Sequence, residues 1–330
     1  LQGYKTSVGF LGRNGFDGGL APTLGFVFGS QTDILNTAIE NGWLITRNSG
    51  DEYYSKNYSK TRYKKLDYNV SVKPFRDLTI DLRGNRIQTS NLTQQLDVVS
   101  NGSGGFEQDP NIKPFETGNY SISHFMLGTI FTDNETLYQN FLDYRTTIAS
   151  RLSNESGLPN LPGAAYKTTG QQAMLPAFIA AYSGNSPNSV STGIFKNIPI
   201  PNWTLRFNGF MKYKWFKKTF SSFTLSHGYK SSYTIGNYTN NLQYDSSTPT
   251  NTNTSGNYQP ELLLSSATLI DEFSPLVKVD FRMKNSFSFK GEVRRDRSLT
   301  LNFNNNTLTD IKGTEYVFGF GYKIRDVKFV

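Results

Sequence analysis

Apolar and polar residues alternate with a period of two along most of this chain. The alternation is clearest at residues 65–73, 78–83 and 277–284, where every second side chain is apolar. Successive side chains of a β-strand point to opposite faces of the sheet, so the pattern predicts strands with one apolar and one polar face. About a dozen strands fit the chain. Further clear segments lie at 203–208, 223–226, 287–294, 299–303 and 316–324.

The connections between the predicted strands are of two kinds. We predict short turns at Arg76-Asp77, Lys217-Lys218, Ser274-Pro275, Arg295-Asp296 and Arg325-Asp326. Connections of the second kind, several of them long and rich in Asn, Ser, Thr and Gly, lie at 84–118, 236–261, 284–285 and 304–313. The alternation of the two kinds predicts a sheet with one tight end and one elaborated end.

This combination is typical of one class of fold. Transmembrane barrels of the bacterial outer membrane have short turns at one end, long loops at the other, an apolar outer face and a polar interior. The apolar positions are also rich in aromatic residues (25 Phe, 19 Tyr and 3 Trp), whereas a soluble sandwich usually fills its core with aliphatic side chains. We therefore predict an all-β fold, an antiparallel transmembrane β-barrel with inserted loops and one or two short helices. A soluble antiparallel sandwich or a β-helix remains the alternative, because its strands alternate in the same way.

The alternation assigns side chains to the two faces of the predicted barrel. The charged positions are predicted to face the lumen: Arg206, Lys278, Asp280, Arg282, Lys290 and Arg294. The apolar positions are predicted to face lipid: Leu205, Phe207, Val279, Phe281, Phe287, Phe289, Phe318 and Phe320. Aromatic residues near strand ends are predicted to form the girdles at the membrane interface: Phe75, Trp203, Trp215, Phe216 and Phe273.

The chain carries a formal net charge of +8, and the basic excess extends to the predicted lumen wall. A wide polar wall of mixed but net positive charge would let hydrated cargo pass and would favour acidic cargo modestly. An equally simple interpretation is that these charges only keep the lumen wet or pair across strands.

The strand pattern is interrupted in the middle of the chain. Thr132 and Glu135 form a capping-box signature, and apolar residues follow at helical spacing, so an amphipathic helix is predicted at 133–152. A shorter helix is predicted at 173–182, broken by Pro176.

These patterns divide the chain into three parts. Residues 1–131 are predicted to form barrel strands with long loops and a short helix near 32–41, residues 132–200 a helical and loop insertion, and residues 201–330 further barrel strands. Leu1 begins the sequence without an initiator Met or a leader pattern, so we expect the sequence to be part of a longer chain.

Little in the sequence predicts catalysis or metal binding. The chain has no Cys, and His124 and His227 stand far apart without a second ligand at metal spacing. No combination of Ser, His and acid resembles a catalytic triad, so no catalytic residue, metal or cofactor is predicted and an enzyme is not expected. No apolar run approaches the roughly 18 residues that a membrane-spanning helix needs.

Residues 212–218 (KYKWFKK) interleave cations and aromatic rings. Proteins that bind single-stranded nucleic acid use this arrangement for phosphates and bases. The run lies at a predicted hairpin end, however, where an interfacial girdle and anionic lipid headgroups account for the same residues. We therefore predict membrane lipid, and no nucleic acid, as a partner.

Four segments resemble a known family. They are residues 22–34 (PTLGFVFGSQTDI), 41–44 (NGWL), 73–78 (KPFRDL) and 319–326 (GFGYKIRD). These segments, and the order of the whole chain, are similar to the C-terminal barrel part of the SprA (Sov) family, the outer-membrane translocons of the bacterial type IX secretion system.

The resemblance implies a very large single-chain barrel in the bacterial cell outer membrane, through which folded cargo proteins pass from the periplasm to the cell surface. It also implies a PorV-type partner barrel at a lateral opening, a periplasmic plug protein, and contact with lipopolysaccharide. A TonB-dependent or SusC-like nutrient transporter remains an alternative, which a plug domain and a TonB box upstream of the barrel would indicate. A soluble β-sandwich surface-binding protein is the third.

Overall fold

The computed structural model describes residues 34–40, 44, 57–158 and 163–324. These residues form mainly antiparallel β-structure with few helices, which confirms the predicted all-β class. The strands are β1 (Asn57–Phe75), β2 (Leu78–Gln95), β3 (Val98–Ser100), β4 (Phe106–Gln108), β5 (Phe115–Ser123), β6 (Asn202–Phe207), β7 (Phe220–Asn240), β8 (Leu262–Leu264), β9 (Ser266–Met283), β10 (Phe287–Asn302) and β11 (Thr307–Tyr322). The helices are α1 (Ile34–Glu40), α2 (Asn134–Glu155), α3 (Gln171–Ser183) and α4 (Lys214–Thr219), and a single 3-10 turn covers Gly209–Lys212.

Nine of the strands in the described part of the chain form one sheet. Hydrogen-bonded neighbours follow the order β1, β2, β5, β7, β9, β10, β11, while β6 pairs with β2 and β7, and β8 pairs with β7. The pairs β6–β7, β7–β9, β9–β10 and β10–β11 are all antiparallel. The strands β3 and β4 form a separate two-stranded ribbon.

The chain divides into two compact units. The first contains residues up to 62 and residues 90–117, and the second contains residues 63–89 and the chain from residue 118 onward. The second unit holds helices α2, α3 and α4 and the strands from β6 to β11, so the functional features described below belong to it.

The first unit has a small core of its own. Helix α1 packs Leu35, Ala38 and Ile39 against Tyr58 of β1 and Val98 of β3. The position of α1 confirms the short helix predicted in this region, and its apolar residues follow helical spacing.

One position in the sheet, between β2 and β7, is shared by two short strands. β5 ends at Ser123, the chain leaves the sheet over residues 124–201, and β6 resumes the position at Asn202. Side chains bridge the break: the N–H of Asn85 donates to Ser123 Oγ (2.9 Å), and the N–H of Ser231 donates to Asn202 Oδ1 (2.8 Å). The insertion therefore leaves the sheet between the two strands that share this position. It begins at residue 124, earlier than the predicted residue 132.

Helix α2 is the predicted amphipathic helix, with a different cap. The Asp133 carboxylate accepts a hydrogen bond from the N–H of Thr136 (2.8 Å), so Asp133 caps the helix and the predicted cap at Thr132 is wrong. An ionised carboxylate at this position also suits the positive end of the helix dipole. Leu137 and Phe141 are buried, which confirms the predicted apolar stripe.

Helix α3 is buried along most of its length. Pro176 lies inside the helix without ending it, contrary to the predicted break. The lost backbone hydrogen bond is offset by burial, because Phe178 and Ile179 are 0% and 1% exposed and the Phe178 ring lies 6.4 Å from that of Phe141 in α2. No helix in the described ranges is long and apolar enough to cross a membrane.

The two helices and half of one sheet face enclose the main hydrophobic core. The sheet residues of this core lie in β5, β7, β8, β9 and β10, and they are Tyr120, Ile122, Tyr233, Ile235, Tyr238, Leu264, Ala267, Leu269, Leu299 and Leu301. Removal of this apolar surface from water holds the insertion on the sheet.

A buried arginine also joins the insertion to the sheet. Arg297 in β10 is 2% exposed and forms a bidentate ion pair with Asp310 of β11, with nitrogen–oxygen distances of 3.1 and 2.7 Å. Its guanidinium carbon lies 5.2 Å from the ring centroid of Tyr182 in α3. The fully buried carboxylate of Asp271 lies directly opposite Arg297 in β9. Removing one charge from such a cluster leaves its partners buried and uncompensated.

We expect Arg297→Met to lower the free energy of unfolding by about 3 to 5 kcal/mol, because it leaves Asp310 and Asp271 without their cation. Arg282→Met is the matched control, since Arg282 is exposed and its loss should change stability by less than about 0.5 kcal/mol. Denaturant titration of the purified protein measures both. Equal losses in the two variants would contradict the role assigned to Arg297.

Two predicted turns lie inside strands. Ser274-Pro275 is within β9 and Arg295-Asp296 is within β10. Residues 274–276 of β9 lie opposite the single residue Arg294 of β10, so β9 is bulged here and does not end. Proline has no N–H to donate and is tolerated at such an irregularity, which is why the sequence pattern resembles a turn.

Other predicted connections also differ. Lys217-Lys218 lies in α4, and Arg325-Asp326 lies outside the described residues. Residues 284–286 make a tight turn at the same end of the sheet as α4, because the N–H of Lys284 donates to the carbonyl of Thr219 (3.1 Å). This end, where residues 76–77 also reverse the chain, is called the turn end below.

Candidate functional site

The strand pairing places charged side chains of several strands on one face of the sheet. Residues directly opposite one another in antiparallel strands lie on the same face, as do alternate residues along a strand. The opposed pairs are Arg206 with Ser226, Ser226 with Lys278, and Asp280 with Lys290. Arg282 and Arg294 follow by alternation. All six residues of the predicted lumen set share this face, called the polar face below.

The polar face carries acidic residues that the sequence reasoning missed. Glu292 lies opposite Lys278 and is 5% exposed, and its carboxylate lies 2.5 Å from Arg294 and 3.5 Å from Lys290. Arg294 also pairs with Glu315 of β11 (2.9 Å). Glu292 alternates with apolar neighbours in β10, so the period-two pattern contained the signal. The wall is therefore of mixed charge, and part of it pairs across strands.

A cavity of about 930 Å³ opens on the polar face beside the break between β5 and β6. Its lining includes Asp81 and Arg83 of β2, Asn202 of β6, Lys230 of β7 and Glu272 of β9. Within the part of the chain that the structure describes, no ion pair is formed by the charged lining residues Asp81, Arg83, Lys230 and Glu272. The sequence reasoning did not assign these residues, although Asp81 and Arg83 alternate with Ile80 and Leu82.

The opposite face of the sheet is apolar and largely aromatic at the turn end. The opposed pairs on this face are Phe207 with Leu225, Leu225 with Val279, Phe281 with Phe289, Phe289 with Phe320, and Phe287 with Tyr322. Leu205 and Phe318 follow by alternation. The eight residues of the predicted lipid set therefore share this face, called the aromatic face below. Phe318 and Phe320 are 63% and 72% exposed.

The rings on the aromatic face touch one another across four strands. Centroid distances are 5.1 Å between Phe220 and Phe281, 5.2 Å between Phe281 and Phe289, and 5.2 Å between Phe289 and Phe320. Phe223 joins the same chain of rings, stacked at 3° on Phe281. Aromatic pairs at these distances stabilise one another beyond the burial of their surface.

The five predicted girdle residues occupy different environments. Phe75 is 68% and Trp215 65% exposed at the turn end, and Phe216 is half-buried beside Trp215. Trp203 packs on Tyr229 with centroids 4.6 Å apart.

Phe273, predicted to lie in the interfacial girdle, is buried. Its side chain is 2% exposed, because Phe131 of the insertion stacks over it at 5.9 Å. Phe131 itself is 61% exposed, and the guanidinium carbon of Arg295 lies 4.7 Å from its ring centroid. The exposed ring at this level therefore comes from the insertion, where no strand pattern indicated it.

The aromatic rings form two layers at different heights on the sheet. One layer surrounds Phe220 at the turn end, and the other surrounds Tyr229 where the insertion begins. Phe220 and Tyr229 are nine positions apart along β7, which is at most about 30 Å of strand at 3.3 to 3.4 Å per residue, because the pairing of β7 with β9 shifts register twice in this stretch. A strand tilted by 35–45°, as in outer-membrane barrels, would span about 21 to 25 Å along the membrane normal over this distance.

His124, for which the sequence indicated no metal site, is buried at the start of the insertion. It is 4% exposed, and its Nε2 and the Ser183 Oγ are 2.9 Å apart. Burial, together with the charge of Lys196, lowers the pKa of His124 to about 3. Burial also lowers the pKa of Lys196 to about 8. His227 is only half-buried, and its Nδ1 lies 2.7 Å from the carbonyl oxygen of Leu276.

The His124 pKa predicts a loss of stability in acid. The unfolded chain takes up a proton near the ordinary pKa of 6.5, whereas the folded protein does not until about pH 3. The free energy of unfolding should therefore fall as the pH falls from about 6.5 towards 3. His124→Gln, which can still bond Ser183, should reduce the drop in thermal midpoint between pH 7.5 and pH 5. An unchanged drop would show that other groups cause it.

The residues that the structure describes contain no group of three or more His, Asp or Glu side chains placed to hold a metal ion. No protein-family model matches the chain, and no curated protein matches it.

Proposed function

We propose that the strands β6, β7, β9, β10 and β11 form part of the wall of a transmembrane β-barrel in the bacterial outer membrane. In this proposal the aromatic face meets lipid and the polar face lines the lumen. The observation that carries the proposal is that both faces belong to the same stretch of strand. A contiguous ring-covered surface lies directly behind a wall of mixed charge, as a sheet between lipid and water requires.

The length of the strands supports the same placement. A tilted strand crosses a bilayer with about 9 to 11 residues, and β7 and β9 have 21 and 18. The aromatic face occupies the part near the turn end, and the insertion covers the remainder. The turn end is then periplasmic, since barrels of this class place short turns there, and the insertion lies on the outer side.

The barrel is proposed to be a protein-conducting translocon of the type IX secretion system, which passes folded cargo proteins to the cell surface. The polar face supports this role because its charges are mixed and partly paired, which suits a hydrated surface that binds no single solute tightly. Partners of this barrel are proposed from the sequence resemblance: secreted cargo, a PorV-type barrel and a periplasmic plug protein. The role requires no catalytic residue and no cofactor.

The decisive experiment is a cryo-electron microscopy map of the full-length protein, extracted from outer membranes in mild detergent, with co-purifying chains identified by mass spectrometry. A wide barrel with a partner barrel or a plug protein supports the translocon. A barrel of ordinary width filled by its own N-terminal domain would instead make the protein a nutrient transporter. Quantitative extraction without detergent would contradict both.

The assignment of the two faces predicts unequal effects of an added arginine. Val279→Arg places a charge on the aromatic face between the two aromatic layers, and we expect it to cost about 2 to 4 kcal/mol or to block assembly. Thr224→Arg is the matched control, because Thr224 lies on the polar face opposite Asp280. Asp280→Arg is a second control, with a smaller penalty from the facing Lys290. The amount of folded protein in the outer membrane measures all three, and similar losses for Val279→Arg and Thr224→Arg would reject the assignment.

A further inference from the structure

The connection between β6 and β7 at the turn end carries a concentrated positive charge. Residues 212–218 contain four lysines, and the structure places them in the end of the 3-10 turn and in α4. Lys212 forms an ion pair with Asp77. Lys214, Lys217 and Lys218 are exposed and have no ion-pair partner among the described residues. These three lysines, with Tyr213 and Trp215, are called the basic belt below.

The basic belt is held in place. The N–H of Asn208 donates to the carbonyl of Asp77 (3.0 Å), which ties the connection to the neighbouring β1–β2 turn beside the Lys212 ion pair. Gly209 permits close packing there, because a Cβ at this position would lie 2.5 Å from the Phe207 ring. A short, doubly anchored connection presents its side chains in a fixed direction at little cost in conformational entropy.

The basic belt is continuous with the aromatic face. A chain of ring contacts joins Trp215 to the aromatic face. The ring centroids lie 4.5 Å apart for Trp215 and Phe216, 5.5 Å for Phe216 and Phe220, and 5.1 Å for Phe220 and Phe281. Tyr213 and Trp215 are nevertheless 66% and 65% exposed. An exposed Trp and Tyr at the edge of an apolar surface, next to unpaired lysines, match the depth order of a bilayer, from acyl chains through the ester region to the phosphates.

We propose that the basic belt binds the phosphodiester headgroups of anionic glycerophospholipids in the periplasmic leaflet. This inference rests on the proposed function and adds to it the chemistry of the lipid at one boundary. The periplasmic leaflet is the source because the belt lies at the turn end. Lys214, Lys217 and Lys218 bind the phosphates, and Tyr213 and Trp215 lie at the level of the ester groups. A lysine near an anionic bilayer surface contributes about 1 kcal/mol to binding, which corresponds to about a fivefold preference for anionic over zwitterionic lipid per lysine.

The test uses tryptophan fluorescence of the full-length protein reconstituted into bilayers of zwitterionic lipid. Lipid with brominated acyl chains, either anionic phosphatidylglycerol or zwitterionic phosphatidylcholine, is included at a series of increasing fractions. Subtracting the signal of Trp215→Phe isolates Trp215 from the other tryptophans of the full-length protein, among them Trp43 and Trp203. We expect the anionic brominated lipid to quench Trp215 at a fraction about fivefold or more lower than the zwitterionic one.

A variant with Lys214, Lys217 and Lys218 all changed to Gln should lose this preference and keep its quenching by the zwitterionic lipid. The matched control removes three charges from the polar face, at Arg206, Lys230 and Lys278, and should keep the preference. If the belt variant does not fold, salt provides the second measurement. The preference of the unchanged protein should weaken between about 0.05 and 0.5 M NaCl, because salt screens exposed charges.

The possible outcomes separate this inference from the proposed function. Equal quenching by both lipids would overturn the headgroup site and leave the membrane placement intact. A preference that survives in the belt variant, or that salt does not change, would also overturn it. Absence of quenching by either lipid would show that Trp215 does not meet a bilayer, which would remove the lipid-facing role of the aromatic face and the proposed function with it.

Discussion

The antiparallel register that joins β7, β9, β10 and β11 is the constraint on which the rest of the structure depends. A slip of one residue would exchange the two faces, because the side-chain period of a strand is two. The pairing of β10 with β11 runs without interruption from Phe287 to Asn302. It therefore keeps Phe289 and Leu299 on the same face, although one lies among exposed rings and the other lies in the hydrophobic core.

That shared face is covered in two different ways along its length. Near the turn end it carries rings that contact one another and remain open to their surroundings. Beyond Tyr229 and Phe273 the helices α2 and α3 cover it, and the same odd-numbered positions become Tyr233, Leu269 and Leu299 of the core. The face changes from open to covered at the level where β5 ends and β6 begins. The break between these two strands lets the chain leave the sheet at the point where the helices begin to cover this face.

The polar groups of the structure follow from this arrangement. On the polar face, the carboxylate of Glu292 is buried between Lys290 and Arg294, so charges pair along and across strands. On the covered half of the other face, the insertion covers Arg297, and its guanidinium pairs with the partly buried carboxylate of Asp310. At the turn end, the lysines of α4 have no ion-pair partner among the described residues, and in the proposed membrane placement anionic headgroups would supply one.

The sequence by itself determined the class of fold and the division of side chains between two faces, because both depend on a period that is local to each strand. Val279 and Asp280 could be placed on opposite faces without knowledge of their partners. Helix α2 was equally readable, since its apolar spacing and polar first turn are local features.

Only the tertiary structure decided which irregularities are bulges and which apolar residues are covered. Ser274-Pro275 and Arg295-Asp296 resemble turns until the facing strand shows that pairing continues past them. Pro176 resembles a helix break until burial of α3 offsets the missing hydrogen bond, and Phe273 resembles an exposed girdle residue until Phe131 covers it. In each case the deciding atoms come from a distant part of the chain, and the free energy of those contacts exceeds the local preference that the sequence displays.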